Sequence, residues 1–198
     1  MQITYLKQSN NHKKIKNYRN RNYQFDSSFY STYFLTTTTW HYNHMGEAIN
    51  LVDNFKAEKV IFNCGEFSDL EQELIKVLDK KKISYYKELS ELSVFNNKLY
   101  FLNTSIYNNE NDNSNVLYFN YNNYQFLFMG DASIEKEKDI LNEYSIENID
   151  FLKIGHHGSD TSSSKEFIDI MILWGRIILI KSTIYLLICV IEFYLWRI

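Results

Sequence analysis

The sequence predicts a layered α/β domain built on mixed sheets. Three observations carry that expectation. Short β-branched and aromatic runs alternate with helix patterns that have recognisable starts. Two Asn-Asn pairs sit among apolar runs, which is a hairpin signature because asparagine tolerates positive φ. The chain has 198 residues, 45% of them hydrophobic, enough to bury one sizeable core.

The elements follow in order. "STYFLTTTT" predicts a strand ending near Thr39. "GEAINLVDNF" places Ala48, Leu51, Val52 and Phe55 on one helical face. "KVIFNC" is a short apolar strand. Ser68 and Glu71 then form a capping-box pair, ahead of a stripe of Phe67, Leu70, Leu74, Val77 and Leu78. "ISYYKEL" reads as extended, and "VFNNKLYFLN" and "VLYFNYNNYQFLFMG" read as hairpins. "SIEKEKDILNEY" is a helix capped by Ser133, with Glu135 and Glu137 near its positive end. "IDFLKIG" is a buried strand, and Ser163 with Glu166 predicts a second capping box.

Both ends differ from this middle. Residues 1–28 are polar, basic and tyrosine-rich, and are expected to be poorly ordered or an ill-fitting edge strand. Residues 29–170 form the domain, and 171–198 form an apolar tail without helical or strand periodicity. A membrane span needs roughly 20 predominantly apolar residues. The stretch 177–196 approaches that length, but Lys181 and Glu192 interrupt it, and Arg176 stands just before it. Each central charge costs ~2.5–3.5 kcal/mol on insertion. A core strand followed by a misfitting tail is therefore favoured over an anchor.

Composition narrows the function classes. The net charge of -3 and the absence of a basic stripe argue against tight nucleic-acid binding driven by charge. The two cysteines, Cys64 and Cys189, make no CxxC and no disulfide framework. The N-terminus lacks the apolar core of a secretory signal, so a cytoplasmic location is the default expectation. There is no proline, while tyrosine and phenylalanine number 16 and 14; the bias suits an AT-rich coding sequence.

The chemistry-bearing residues cluster at strand ends. "FLFMGD" ends a strand in Gly130-Asp131, and "FLKIGHHGS" ends the next in Gly155-His156-His157. A carboxylate and an imidazole at neighbouring strand ends can share a divalent ion such as Zn or Mn. A third cluster, "WHYNHMGE", offers His41, Asn43 and His44 just after an earlier strand. Four of the five histidines fall in these two histidine clusters. Taken singly, a Gly-rich histidine loop is as well explained by exposure, and Gly-Asp by a turn into a helix.

From Asn43 to Asp169 the chain resembles the metallo-β-lactamase-fold domain of ComEC-type competence (DNA-uptake) proteins of bacteria. The resemblance rests on "HMGEAINLV", "ENDNSNVL", "FLFMGD", "IDFLKIGHHGS" and "TSSSKEF". It implies an αββα sandwich, incomplete at both ends here, with one or two divalent ions at one edge. It implies a metal-dependent hydrolase acting on nucleic-acid phosphodiesters. Carried over by residue, His41, His44, Asp131 and His156 would be metal ligands, with Asp131 bridging and with Asn43 and Asp131 at the catalytic centre. Asn113, Ser114, His157 and Ser159 would bind substrate or orient the ligands. Gly46 and Gly158 would permit tight turns.

The chain departs from that pattern. The first motif of the superfamily is His-x-His-x-Asp-His; here Thr39 stands for its first histidine and Asn43 for its aspartate. No histidine occurs between His44 and His156. The opening strands and the closing Gly-His-Pro segment are not found, which predicts a degenerate or frame-disrupted copy. Three readings compete: an impaired hydrolase, a non-catalytic binding or accessory module, and a membrane-anchored protein.

Overall fold

A computed structural model describes residues 3–8, 31–37, 48–54, 56–94, 97–102, 104–171 and 178–180. Its first sheet has the order β1 (Ile3–Gln8), β2 (Ser31–Thr37), β3 (Lys56–Phe62) and β4 (Ser84–Lys87). β1 runs antiparallel to β2, with an irregular register between Tyr5 and Lys7, while β2, β3 and β4 are parallel. Parallel neighbours need crossovers. These are α1 (Ala48–Asn54) between β2 and β3, and α2 (Asp69–Lys81) between β3 and β4.

The second sheet starts at its edge with β5 (Glu91–Val94), followed by β6 (Asn97–Phe101), β7 (Leu117–Tyr121) and β8 (Tyr124–Phe128) as an antiparallel meander. Two parallel strands extend it, β9 (Phe151–Lys153) and β10 (Ile178–Ile180). They are reached through α3 (Ile134–Glu143) and α4 (Lys165–Met171). The class is α/β, as expected from the sequence.

Side-chain alternation sorts the core into three clusters. Val60 and Phe62 pack with Ala48, Val52, Leu74 and Leu78 of α1 and α2. Ile61 points the other way, against Leu99, Phe101, Leu117, Phe119, Phe126, Phe128 and Phe151 of the second sheet. Leu127 and Leu152 take the far face of that sheet, with Ile140 of α3 and Phe167 and Met171 of α4. The layers therefore run helix, sheet, sheet, helix. Aromatic stacking closes the middle layer: the Phe126 ring lies 4.6 Å from Phe151 and 4.7 Å from Phe119.

Local signals position these elements. Ser68 Oγ accepts from the Glu71 N–H at 3.3 Å, and Glu71 Oε2 accepts from the Ser68 N–H at 2.9 Å, completing the expected capping box. Asn122 and Asn123 adopt φ of 51° and 65°, the geometry of a type I′ hairpin. In the β5–β6 hairpin Val94 pairs with Asn97, so the second asparagine of the Asn-Asn pair already lies in the strand β6.

The second predicted capping box does not form. Ser163 sits at φ 63°, and its N–H and that of Ser164 donate to the Glu137 carboxylate of α3. Ser164 takes the capping place, its Oγ accepting from the Phe167 N–H at 3.3 Å. The acceptor for the start of α4 thus comes from another helix, which local spacing cannot reveal. Among the described residues no helix is long and apolar enough to cross a membrane. Of the stretch 177–196, Ile178–Ile180 pairs with β9 as β10, and the rest lies outside the described residues.

Candidate functional site

The parallel pairing of β8 with β9 sets Phe128 opposite Lys153, so both strands end at one place. Two backbone bonds join the loops that leave these strands: the Met129 N–H donates to Lys153 O at 3.1 Å, and the His156 N–H to Gly130 O at 3.2 Å. The loops bearing Asp131 and His156 are stitched together by their main chains, as the sequence expectation requires.

Each loop is held by a glycine in close contact. Gly130 has φ +61°, and a Cβ there would lie 2.8 Å from Ser114 Cβ. A Cβ on Gly155 would lie 2.3 Å from Ala132 O. Asp131 is 2% exposed, and its N–H donates to Ser114 Oγ at 3.1 Å. His156 is half-buried and His157 exposed, with φ of 42° and 56°. Non-glycine residues in that region cost about 1–3 kcal/mol each and cluster at functional sites. His156 Nδ1 lies 3.3 Å from Thr161 Oγ1, an outer partner that can fix the ring and leave Nε2 outward. Ser159 donates its N–H to His156 O at 3.0 Å, and its Oγ lies 3.2 Å from Thr161 Oγ1.

The other sequence candidates divide. Ser114 touches Asp131 through its backbone. Asn113 is buried, and its side chain is occupied elsewhere: Oδ1 accepts from the Tyr107 N–H, while Nδ2 donates to Tyr107 O and Glu110 Oε2. It shapes the loop before Ser114. His41, Asn43, His44, Thr39 and Gly46 lie outside the described residues.

Asp131 and His156 supply one oxygen and one nitrogen donor, chemically suited to a divalent ion but short of the four that a zinc site uses. Among the described residues no three His, Cys, Asp or Glu side chains converge on a metal position. The described residues fit such an ion only as half of a site.

Four residues near these loops gave no signal in the sequence. Asp112 is fully buried and accepts from the Ser133 N–H at 2.7 Å, from Ser133 Oγ at 3.0 Å and from Asn109 Nδ2 at 2.8 Å. It ties the 109–114 loop to the start of α3. Lys153 is 7% exposed; burial lowers its pKa to about 8, opposed by the charge of Asp131. Cys64 is buried, its thiol raised in pKa chiefly by burial and lying 3.5 Å from Asn113 O.

The fourth, Lys136, is fully buried on α3, with Nζ 5.2 Å from the centre of the Tyr107 ring and without a hydrogen-bond partner among the described residues. Burial lowers its pKa, against the charges of Cys64, Asp112 and Asp139. Lys136→Met is therefore expected to stabilise the fold by ~1 kcal/mol or more, because it removes a desolvated amine and keeps the volume. Urea unfolding at pH 7 checks this; a lower midpoint in the variant would show that the acidic neighbours outweigh desolvation.

No protein-family model matches the chain. A curated relative, ComE operon protein 3 of Bacillus subtilis (strain 168), is 26% identical over 131 residues. The likeness is distant and partial. It covers 64% of this chain and 17% of that protein, so the chain spans a small part of its relative.

Proposed function

We propose that the chain is a metallo-β-lactamase-type domain of the ComEC-type competence family, a metal-dependent phosphodiester hydrolase whose own metal site is depleted. The observation that carries this reading is the placement of Asp131 and His156 on loops stitched together at the ends of adjacent parallel strands. The helix–sheet–sheet–helix layering and the likeness to ComE operon protein 3 support it.

In this reading Asp131 and His156 Nε2 would hold the ion, completed by His41 and His44. A bound divalent ion would lower the pKa of water from 15.7 to about 7 and so supply hydroxide near neutral pH. The chain's own groups do the positioning. Ser114 fixes the backbone of Asp131, Thr161 orients His156, and exposed His157 stands where a substrate phosphate would approach. Thr39 and Asn43 replace an imidazole and a carboxylate of the family motif, which weakens the hold on any second ion. The same two replacements favour a second reading, a non-catalytic accessory domain that keeps the fold.

Metal content by mass spectrometry and turnover of a phosphodiester reporter with added Zn or Mn test both readings. We expect at most one ion per chain, slow turnover, and loss of both by about a hundredfold in Asp131→Asn. Two tightly held ions with brisk turnover would refute depletion. Bound metal with no turnover above background favours the accessory domain.

A further inference from the structure

Each sheet presents an edge at one flank of the sandwich. β4 is a terminal strand of the first sheet and β5 of the second. Among the described residues each has a single strand partner, β3 for β4 and β6 for β5. Only Glu88, Leu89 and Ser90 join the two edges, with Glu88 at φ 56°. Four Cα steps from Lys87 to Glu91 reach at most ~14 Å, and stacked sheets lie about 10 Å apart. The end of β4 at Lys87 therefore stands level with the start of β5 at Glu91, and the two strands run in opposite directions. An open edge invites another strand, and natural sheets blunt it with short strands and lysines. Both edges here are short, and Lys87 is exposed. Yet the Tyr86 ring on β4 is 40% exposed, a large side chain left without cover.

We propose that this flank docks a second copy of the chain reciprocally, β4 of each copy pairing antiparallel with β5 of the other. The inference does not rest on the metal reading. A two-fold axis parallel to the strands, midway between the layers, brings the first sheet of one copy level with the second sheet of the other. It keeps each residue's height along the strands, which fixes the register. Lys87 falls opposite Glu91 of the second copy, Tyr86 opposite its Leu92, and Tyr85 opposite its Ser93. Opposite residues of an antiparallel pair share a face. The faces agree. Tyr86 is in register with inward Ile61, and Leu92 belongs to the same inner core. Lys87 is in register with Phe62 of the helix-covered face, and Glu91 alternates with Leu92, so both point outward. An exposed lysine thus meets an exposed glutamate twice, and Tyr86 gains apolar cover. A slip of one residue would break both matches at once. An unrelated strand fills either edge singly; a second copy matches both together.

Sedimentation velocity over a concentration series tests this, and the charges allow an exchange. Lys87→Glu and Glu91→Lys each place two like-charge pairs in the dimer, and each is expected to weaken it by about tenfold or more. Glu91→Lys also gives up the exposed Lys98 ion pair, which contributes little to the fold. Mixed in equal amounts, the two variants regain both opposite-charge pairs and should associate about as tightly as the unaltered chain. Amide hydrogen exchange in the unaltered chain should slow with concentration at Ser84–Lys87 and Glu91–Val94. A chain that stays monomeric at its highest soluble concentration overturns the proposal. So does a dimer that neither variant weakens, or one that mixing does not restore. Growth into longer oligomers, the product of single β4–β5 contacts, overturns the reciprocal geometry. Urea midpoints establish that the variants fold. Should either fail, Lys87→Gln and Glu91→Gln replace them; each should weaken the dimer by a smaller factor, and an unchanged dimer overturns the proposal.

Discussion

Thr39→His combined with Asn43→Asp is expected to raise metal occupancy and phosphodiester turnover together, each by about a hundredfold or more, since even outer partners of a metal ligand command 10–100-fold. The reason is electrostatic. Two cations about 3.5–4 Å apart repel strongly and are held only by several negative ligands. In the proposed site the described residues contribute one carboxylate, Asp131. Asn43→Asp adds a charge, and Thr39→His adds an imidazole. A single ion can activate water, but only a pair can clamp the attacking and leaving oxygens together, so the gain in rate should exceed that of either single change. Calorimetric titration of Mn²⁺ and reporter turnover provide the check. A folded double variant that binds and hydrolyses no better than the parent would remove the metal-site reading for this chain.

Gly155→Ala is expected to cost about 3 kcal/mol of stability, at the upper end of what overpacking costs. The added Cβ would meet Ala132 O at 2.3 Å and Ser162 Cβ at 3.3 Å. Neither neighbour can give way freely. Ala132 is fully buried directly after Asp131, and Ser162 Oγ already donates to Gly155 O at 2.7 Å. Relief requires the Asp131 and His156 loops to separate, so metal binding should fall along with the urea midpoint. Leu152→Ala, three residues earlier on β9 in the outer core, makes a useful comparator. It should cost a similar ~2–5 kcal/mol through a cavity while leaving the strand ends in register. Equal losses of metal binding in the two variants would mean that the effect is global destabilisation and not loop separation.

The elements that local chemistry fixes were legible in the sequence. The Ser68–Glu71 box, the Ser133 cap and the Asn122-Asn123 turn each depend on residues within a few positions of one another, and each forms. The strand-end placement of Asp131 and His156 was readable because a parallel pair brings successive strand ends to the same edge. Contacts that link distant segments were not readable. Glu137 looked like a first-turn acid of α3, yet its carboxylate caps α4 and displaces the predicted Ser163–Glu166 box. Asp112 and Lys136 have the composition of surface residues and are buried, because the 109–114 loop folds over α3. Asn113 matched a motif, but which way its amide points depends on Tyr107 and Glu110.

The contrast between the antiparallel meander and its parallel flanks bears on the order of assembly. From Glu91 to Phe128 each strand pairs with its neighbour in sequence, and the tight Asn122-Asn123 turn joins the last two. Such contacts close short loops, whereas β9 must wait for α3 to form and swing back before it can dock on β8. Asp131 and His156 are strangers until that late step. The meander should therefore collapse first during refolding, and competence to bind a cation should arrive last. Stopped-flow refolding with Mn²⁺ present would record the two as separate phases, and simultaneous appearance would show that β9 docks within the nucleus itself.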